Sequence, residues 1–138
     1  MKDPRGENLN LPQMAAAGLA KLLEDRRPFV RDRAVELLVE AGDAAIDPLA
    51  AVRRASRDFE SRAAAVFALY RIGTPKAAEA VRAALNDADF RVRTAAARCA
   101  GMEGDREAVA RLLQIVKTAA NPARIRRLVE SAARKTCV

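Results

Sequence analysis

Apolar positions recur along the chain at helical spacing, and the helical stretches themselves recur. In one such stretch Thr74 and Pro75 read as an N-cap followed by proline at the first helical position, where a missing N–H is tolerated. Ala77, Ala78, Val81, Ala84 and Leu85 then form a stripe at the period of an α-helix. Asn86–Asp89 break that stripe, and Asp89 is placed to cap a second helix. Its buried face is marked by Val92, Ala96, Ala97, Cys99 and Ala100 until Gly101 to Gly104 end it. The same grammar predicts first helices near residues 12–25, 44–56, 75–87 and 105–118, and second helices near 29–41, 60–72, 90–101 and 122–135. Asp105 and Asn121-Pro122 are caps of the last pair. Pro48, several residues past the cap candidate Asp43, predicts a helix that starts nearer Ile46 or is kinked.

One period governs these pairs. Arg31, Arg62, Arg93 and Arg124 are 31 residues apart, and Gly42, Gly73 and Gly104 keep the same spacing. Small or apolar residues fill the neighbouring columns: Ala34, Ala65 and Ala96 in one, Val35, Val66, Ala97 and Leu128 in another. A helix of about 12 residues is roughly 18 Å long and carries too narrow an apolar stripe to stand alone. Stacked pairs bury each other's stripes, so the expected fold is all-α, an α-solenoid in which each repeat contacts its neighbours. The expected domain spans residues 11–138, with repeats near 11–42, 43–73, 74–104 and 105–136. Residues 1–10 lack periodicity and are expected to be mobile or to form a short cap.

The stretch from Gly73 to Ala97 resembles a HEAT repeat, specifically the bacterial PBS-lyase HEAT-like type. It has the Gly turn, an amphipathic helix ending in Leu85-Asn86-Asp87, and the Val92-Arg93 pair leading into an Ala-rich helix. The resemblance covers about residues 12–135. It implies a ladder of charge-assisted bonds between Asp and Arg six residues apart, which Asp25 with Arg31 and Asp87 with Arg93 fit. Ser56 stands opposite Arg62, and Thr118 opposite Arg124, so those rungs are expected to be incomplete. The arginine column could alternatively hold phosphate, but the ladder accounts for it within the repeat grammar.

The resemblance also implies that second helices line a concave binding face. Residues pointing away from their apolar stripes fall in columns: Phe29, Glu60 and Arg91; Asp32, Ala63 and Thr94; Glu36, Phe67 and Arg98; Glu40 and Arg71. Acidic residues gather in the first repeat and basic ones in the third and fourth. The expected function is a non-catalytic adaptor that binds a partner segment along this gradient, with Phe67 as the anchor. Phe59 and Phe90 begin helices at equivalent positions and are read as hydrophobic staples.

Composition then narrows the chemistry. The 138 residues carry 25 Lys and Arg against 18 Asp and Glu, a formal net charge of +7, with no His and 4% aromatics. The lack of His removes His-dependent triads and His-ligated metal sites. Glu36 and Glu40 lie one turn apart but have no second cluster to complete a metal site. Cys99 sits on a buried face and Cys137 near the end, forming neither a disulfide framework nor a zinc site. No catalytic residue, cofactor or metal is expected. No apolar run approaches the roughly 18 residues that span a bilayer, no leader is evident, and the expected compartment is the cytoplasm.

Two alternatives compete with the adaptor. A subunit of a bilin-lyase-like or chaperone-like assembly follows from the repeat type, against which stand the shortness of the chain and its few aromatics. Arg124, Arg126, Arg127, Arg134 and Lys135 make the last helix basic, which suits nucleic acid or an acidic partner. The polar outer face that a terminal repeat needs accounts for the same residues.

Overall fold

A computed structural model describes residues 2–118 and 122–136. Its α-helices are α1 (Ala16–Lys21), α2 (Pro28–Ala41), α3 (Ile46–Ala55), α4 (Phe59–Ile72), α5 (Pro75–Ala84), α6 (Phe90–Glu103), α7 (Val109–Thr118) and α8 (Pro122–Thr136). No strand occurs among the described residues. Short 3₁₀ turns lead into α3 and α7 and extend α1 through Glu24. Helices pack as successive pairs, α1 on α2, α3 on α4, α5 on α6 and α7 on α8. The second helices also pack on one another, α2 on α4, α4 on α6 and α6 on α8, and this row is the spine of the stack.

The spine is close because its buried columns are small. Ala34, Ala65 and Ala96 are fully buried, as are Val66, Ala68, Ala97, Cys99 and Ala100. Leu38, Leu49, Leu69, Leu85 and Leu112 supply the bulk between layers. Burial pushes the Cys99 thiol up to about 12, so it behaves as a small apolar side chain.

Local signals set the helix ends. Asp58 and Asp89, one period apart, cap α4 and α6 by accepting from the backbone N–H groups of Ser61 (2.9 Å) and Arg91 (2.8 Å). Thr74 caps α5 by accepting from the Ala77 N–H. Gly42, Gly73 and Gly104 have φ of 64°, 73° and 66°, a region that favours glycine, which explains why the period keeps them.

One expectation changes in detail, and two that left alternatives open take one of them. The first predicted helix, 12–25, is broken into a 3₁₀ turn at Leu11–Gln13, α1 and a further 3₁₀ turn. The chain is extended at Met14 and Ala15, which separates the 3₁₀ turn carrying Pro12 from α1, and Ala15 at the N-cap provides no side-chain acceptor. The next helix starts at Ile46, so Pro48 falls in its first turn without a kink; Asp43 instead accepts a hydrogen bond from the Thr74 hydroxyl (2.9 Å). Residues near the N-terminus make cap contacts. The Arg27 guanidinium donates to the Asp3 carbonyl (3.0 Å), Leu11 is buried, and a Cβ on Gly6 would lie 2.7 Å from Val30 Cγ2.

Candidate functional site

The stack buries one side of α2, α4 and α6 and leaves other residues of these helices exposed. Among them are Phe29, Asp32, Glu36 and Glu40 of α2, Glu60, Phe67 and Arg71 of α4, and Arg91 and Arg98 of α6. Thr94 is half-buried, its hydroxyl donating to the Phe90 carbonyl (2.8 Å). Among these exposed residues the acidic ones lie on α2 and at the start of α4, and the basic ones at the end of α4 and on α6. Glu36 is occupied by a short bond from Arg33 (2.7 Å), a solvent-exposed pair.

At the α4–α6 junction lies a groove of about 310 Å³ lined by Ala63, Phe67, Phe90, Arg91, Thr94, Ala95 and Arg98. Four predicted residues, Phe67, Arg91, Thr94 and Arg98, thus share one concavity. Phe67 is 37% and Phe90 43% exposed, large fractions for aromatic rings on a chain so poor in them. Ala63 and Ala95 line the same groove with small side chains.

Phe90 corrects the reading of both early phenylalanines as staples. Phe59 packs against the core and its ring is covered by the Arg91 guanidinium, 3.4 Å from carbon to centroid. Phe90 has no such cover and faces the groove. Arg91 is also bound by Asp89, Nε donating to Oδ1 (3.0 Å) and Nη2 to Oδ2 (2.7 Å), which holds the Asp89 carboxyl near 2. The free cations of this region are Arg98 and Arg71, which make no hydrogen bond or ion pair among the described residues.

The ladder is also corrected. Asp25 and Arg31, and Asp87 and Arg93, do not pair through their side chains. Each arginine reaches back six residues to a backbone carbonyl: Arg31 Nη1 to Asp25 O (2.8 Å), Arg62 Nη1 to Ser56 O (2.8 Å), Arg93 Nη1 to Asp87 O (2.7 Å). A carbonyl exists whatever the side chain, so Ser56 serves as well as Asp. The carboxylates turn elsewhere. Asp25 takes a bidentate bond from Arg27, whereas Asp87 accepts Arg62 Nε (3.1 Å) and Nη2 (3.2 Å) from the preceding helix pair. The rung expected to be incomplete, Arg62, therefore carries the bridge between pairs. The side chains of Thr118 and Arg124 lie outside those described.

Of the basic residues of α8, Arg126, Arg127 and Arg134 are exposed. Lys135 Nζ donates to the Met102 carbonyl near the C-terminus of α6 (2.7 Å), where a cation is favoured. Among the described residues, no group of three or more His, Cys, Asp or Glu could hold a metal ion. No described helix is long and apolar enough to cross a membrane.

No curated protein matches the chain. A family profile described as HEAT repeats matches residues 46–133, well over half of the sequence, and the paired all-helical stack agrees with it. HEAT repeats generally mediate protein–protein interaction and are generally scaffolds without catalytic activity. With its repeat period, its stacked helix pairs and this match all in register, the chain belongs to the HEAT repeat family.

Proposed function

We propose that the chain is a non-catalytic interaction module of the adaptor kind, taking a protein segment along the free face of α2, α4 and α6. The observation that carries this reading is the groove itself: two exposed phenylalanines beside an unpaired arginine, with the other charges of the proposed face ordered by sign. Phe67 and Phe90 offer a site for an apolar anchor, and Arg98 and Arg71 favour acidic residues next to it. At the other end Asp32, Glu40 and Glu60 favour basic residues, so the gradient selects both composition and direction. The Asp89–Arg91 pair acts as a fixed wall of the groove.

The module is tested by capture from nuclease-treated lysate of the source organism, wild type beside an Arg98→Glu, Phe67→Ser double variant. Recovery of a protein by the wild type and its loss by the variant supports the groove. Capture that appears only when nuclease is omitted moves the interface to Arg126, Arg127 and Arg134 of α8 and sinks the adaptor reading.

A further inference from the structure

A second basic feature lies away from the groove, at the edge of the stack where α3 ends and α4 begins. Arg53 and Arg54 stand in the last turn of α3, Ser56 is its C-cap, and Arg62 lies in the first turns of α4. With Asp87 and Ala88 of the α5–α6 connection they line an open cleft of about 360 Å³. Arg62 is committed, bonded to Asp87 and to the Ser56 carbonyl. The Ser56 hydroxyl donates to Glu24, which lines the neighbouring cleft instead of this one.

Arg53 and Arg54 are not committed. Neither makes a hydrogen bond or ion pair among the described residues, and Arg53 Nε is buried without an acceptor. A buried donor left unmatched is costly, and folded proteins rarely keep one without reason. Burial and the like charge of Arg54 both disfavour the charged form of Arg53, with only Asp87 opposing them. Three guanidiniums thus line the cleft against one carboxylate, and that carboxylate is already held by Arg62.

We propose that this cleft binds a phosphate dianion, free or as a monoester, with Arg53 and Arg54 as its ligands and the Arg62–Asp87 bridge as its fixed wall. The lining has two positive charges in excess, which a phosphate dianion neutralises and a single carboxylate does not. The planar guanidinium fork offers paired N–H donors to two phosphate oxygens at once. A modest swing of the Arg53 side chain towards the anion gives its Nε the acceptor that the fold denies it. The site is separate from the α4–α6 groove and does not depend on it.

The test is a titration at constant ionic strength and pH 7.5, followed on the arginine Nε–Hε resonances, with two probes: inorganic phosphate and a short phosphoserine peptide. Saturable shifts at Arg53 and Arg54 are expected. Arg53→Gln or Arg54→Gln should weaken binding by about tenfold or more, the loss of a charge-assisted bond, whereas Arg106→Gln, an equal charge change at an exposed site outside the cleft, leaves it within about twofold. Arg54 is exposed, so its variant reports on the site even where Arg53→Gln lowers stability. Equal affinity for the two probes identifies free phosphate as the ligand, and tighter peptide binding identifies a phosphorylated protein. No saturable shift with either probe up to about 10 mM, or equal weakening by Arg106→Gln, overturns the proposal.

Discussion

Replacing Arg62 with Ala removes the one side-chain ion pair that joins α4 to the α5–α6 connection. The pair is largely withdrawn from water, with Arg62 13% and Asp87 6% exposed at their side chains. Arg62 donates two bonds to Asp87 and one to the Ser56 carbonyl, and all three are lost in the variant. Asp87 keeps only the Asp89 N–H at 2.9 Å, so a carboxylate remains nearly buried with its cation gone. Breaking such a pair from one side costs about 3–5 kcal/mol when burial is complete; the residual exposure here places Arg62→Ala near 3 kcal/mol. Asp87→Asn keeps the shape and loses the charge, at about 2 kcal/mol. For a chain of this length about 3 kcal/mol lowers the melting temperature by roughly 10 °C. Urea unfolding followed by circular dichroism on both single variants and the double variant closes the cycle, with an expected coupling of about 1–2 kcal/mol. Screening acts weakly on a buried pair, so the coupling should survive a rise from about 0.1 M to about 0.5 M salt. Single variants that each cost less than about 0.5 kcal/mol, or a coupling near zero, refute the claim that this bridge ties successive helix pairs.

Further outcomes test the packing and the caps. Ala96→Leu forces a larger side chain into a fully buried junction on α6 and should destabilise by about 1–3 kcal/mol; an unchanged melting temperature would contradict the packing register. The Arg27 guanidinium bonded to Asp25 holds that carboxyl near 2, below its ordinary 3.8, and Arg91 does the same for Asp89. Both pKa values are depressed in the folded state, so the stability they contribute is present above about pH 4 and lost as pH falls towards 2. Asp25→Asn should flatten that acid limb in a pH series of melting temperatures, and an acid limb identical to wild type would count against the Asp25–Arg27 pair. In a Cys137→Ser background Cys99 should resist alkylation until urea unfolds the chain; labelling at the native rate of a free thiol would contradict its burial.

The helical stack was legible because three independent signals agree. Glycine at a 31-residue period marks positions where φ is positive, alanine columns mark the close spine, and proline or Asp/Thr caps mark helix starts. The first helix was only partly legible, because apolar spacing gives no sign of the extended residues Met14 and Ala15, where no side chain caps α1 and the helix starts only at Ala16. The ladder shows a limit set by periodicity itself. A partner six residues before an arginine and one twenty-five residues after it occupy the same column of a 31-residue repeat, so the sequence names Asp87 without deciding whether Arg93 or Arg62 holds it. Phe59 and Phe90 show another. Equal places in the repeat predict equal roles, but Arg91 covers only the Phe59 ring, and that leaves Phe90 free to line the groove. The exposed positions of the second helices could be read in advance because helical periodicity determines what points away from an apolar stripe. The groove could not, because its depth depends on how α4 and α6 pack.

The most direct test of the groove as the binding surface is quantitative capture with three matched proteins. They are wild type, the Phe67→Ser, Arg98→Glu variant, and a Glu79→Lys variant that changes an exposed charge on α5, in the other layer of the stack. All three should show the same helical circular dichroism. The expected result is one protein species recovered by wild type and by Glu79→Lys, and reduced at least about tenfold by the groove variant, as loss of a central anchor requires. Undiminished recovery by the groove variant would contradict the assignment of the α4–α6 groove as the surface through which this chain binds its partner.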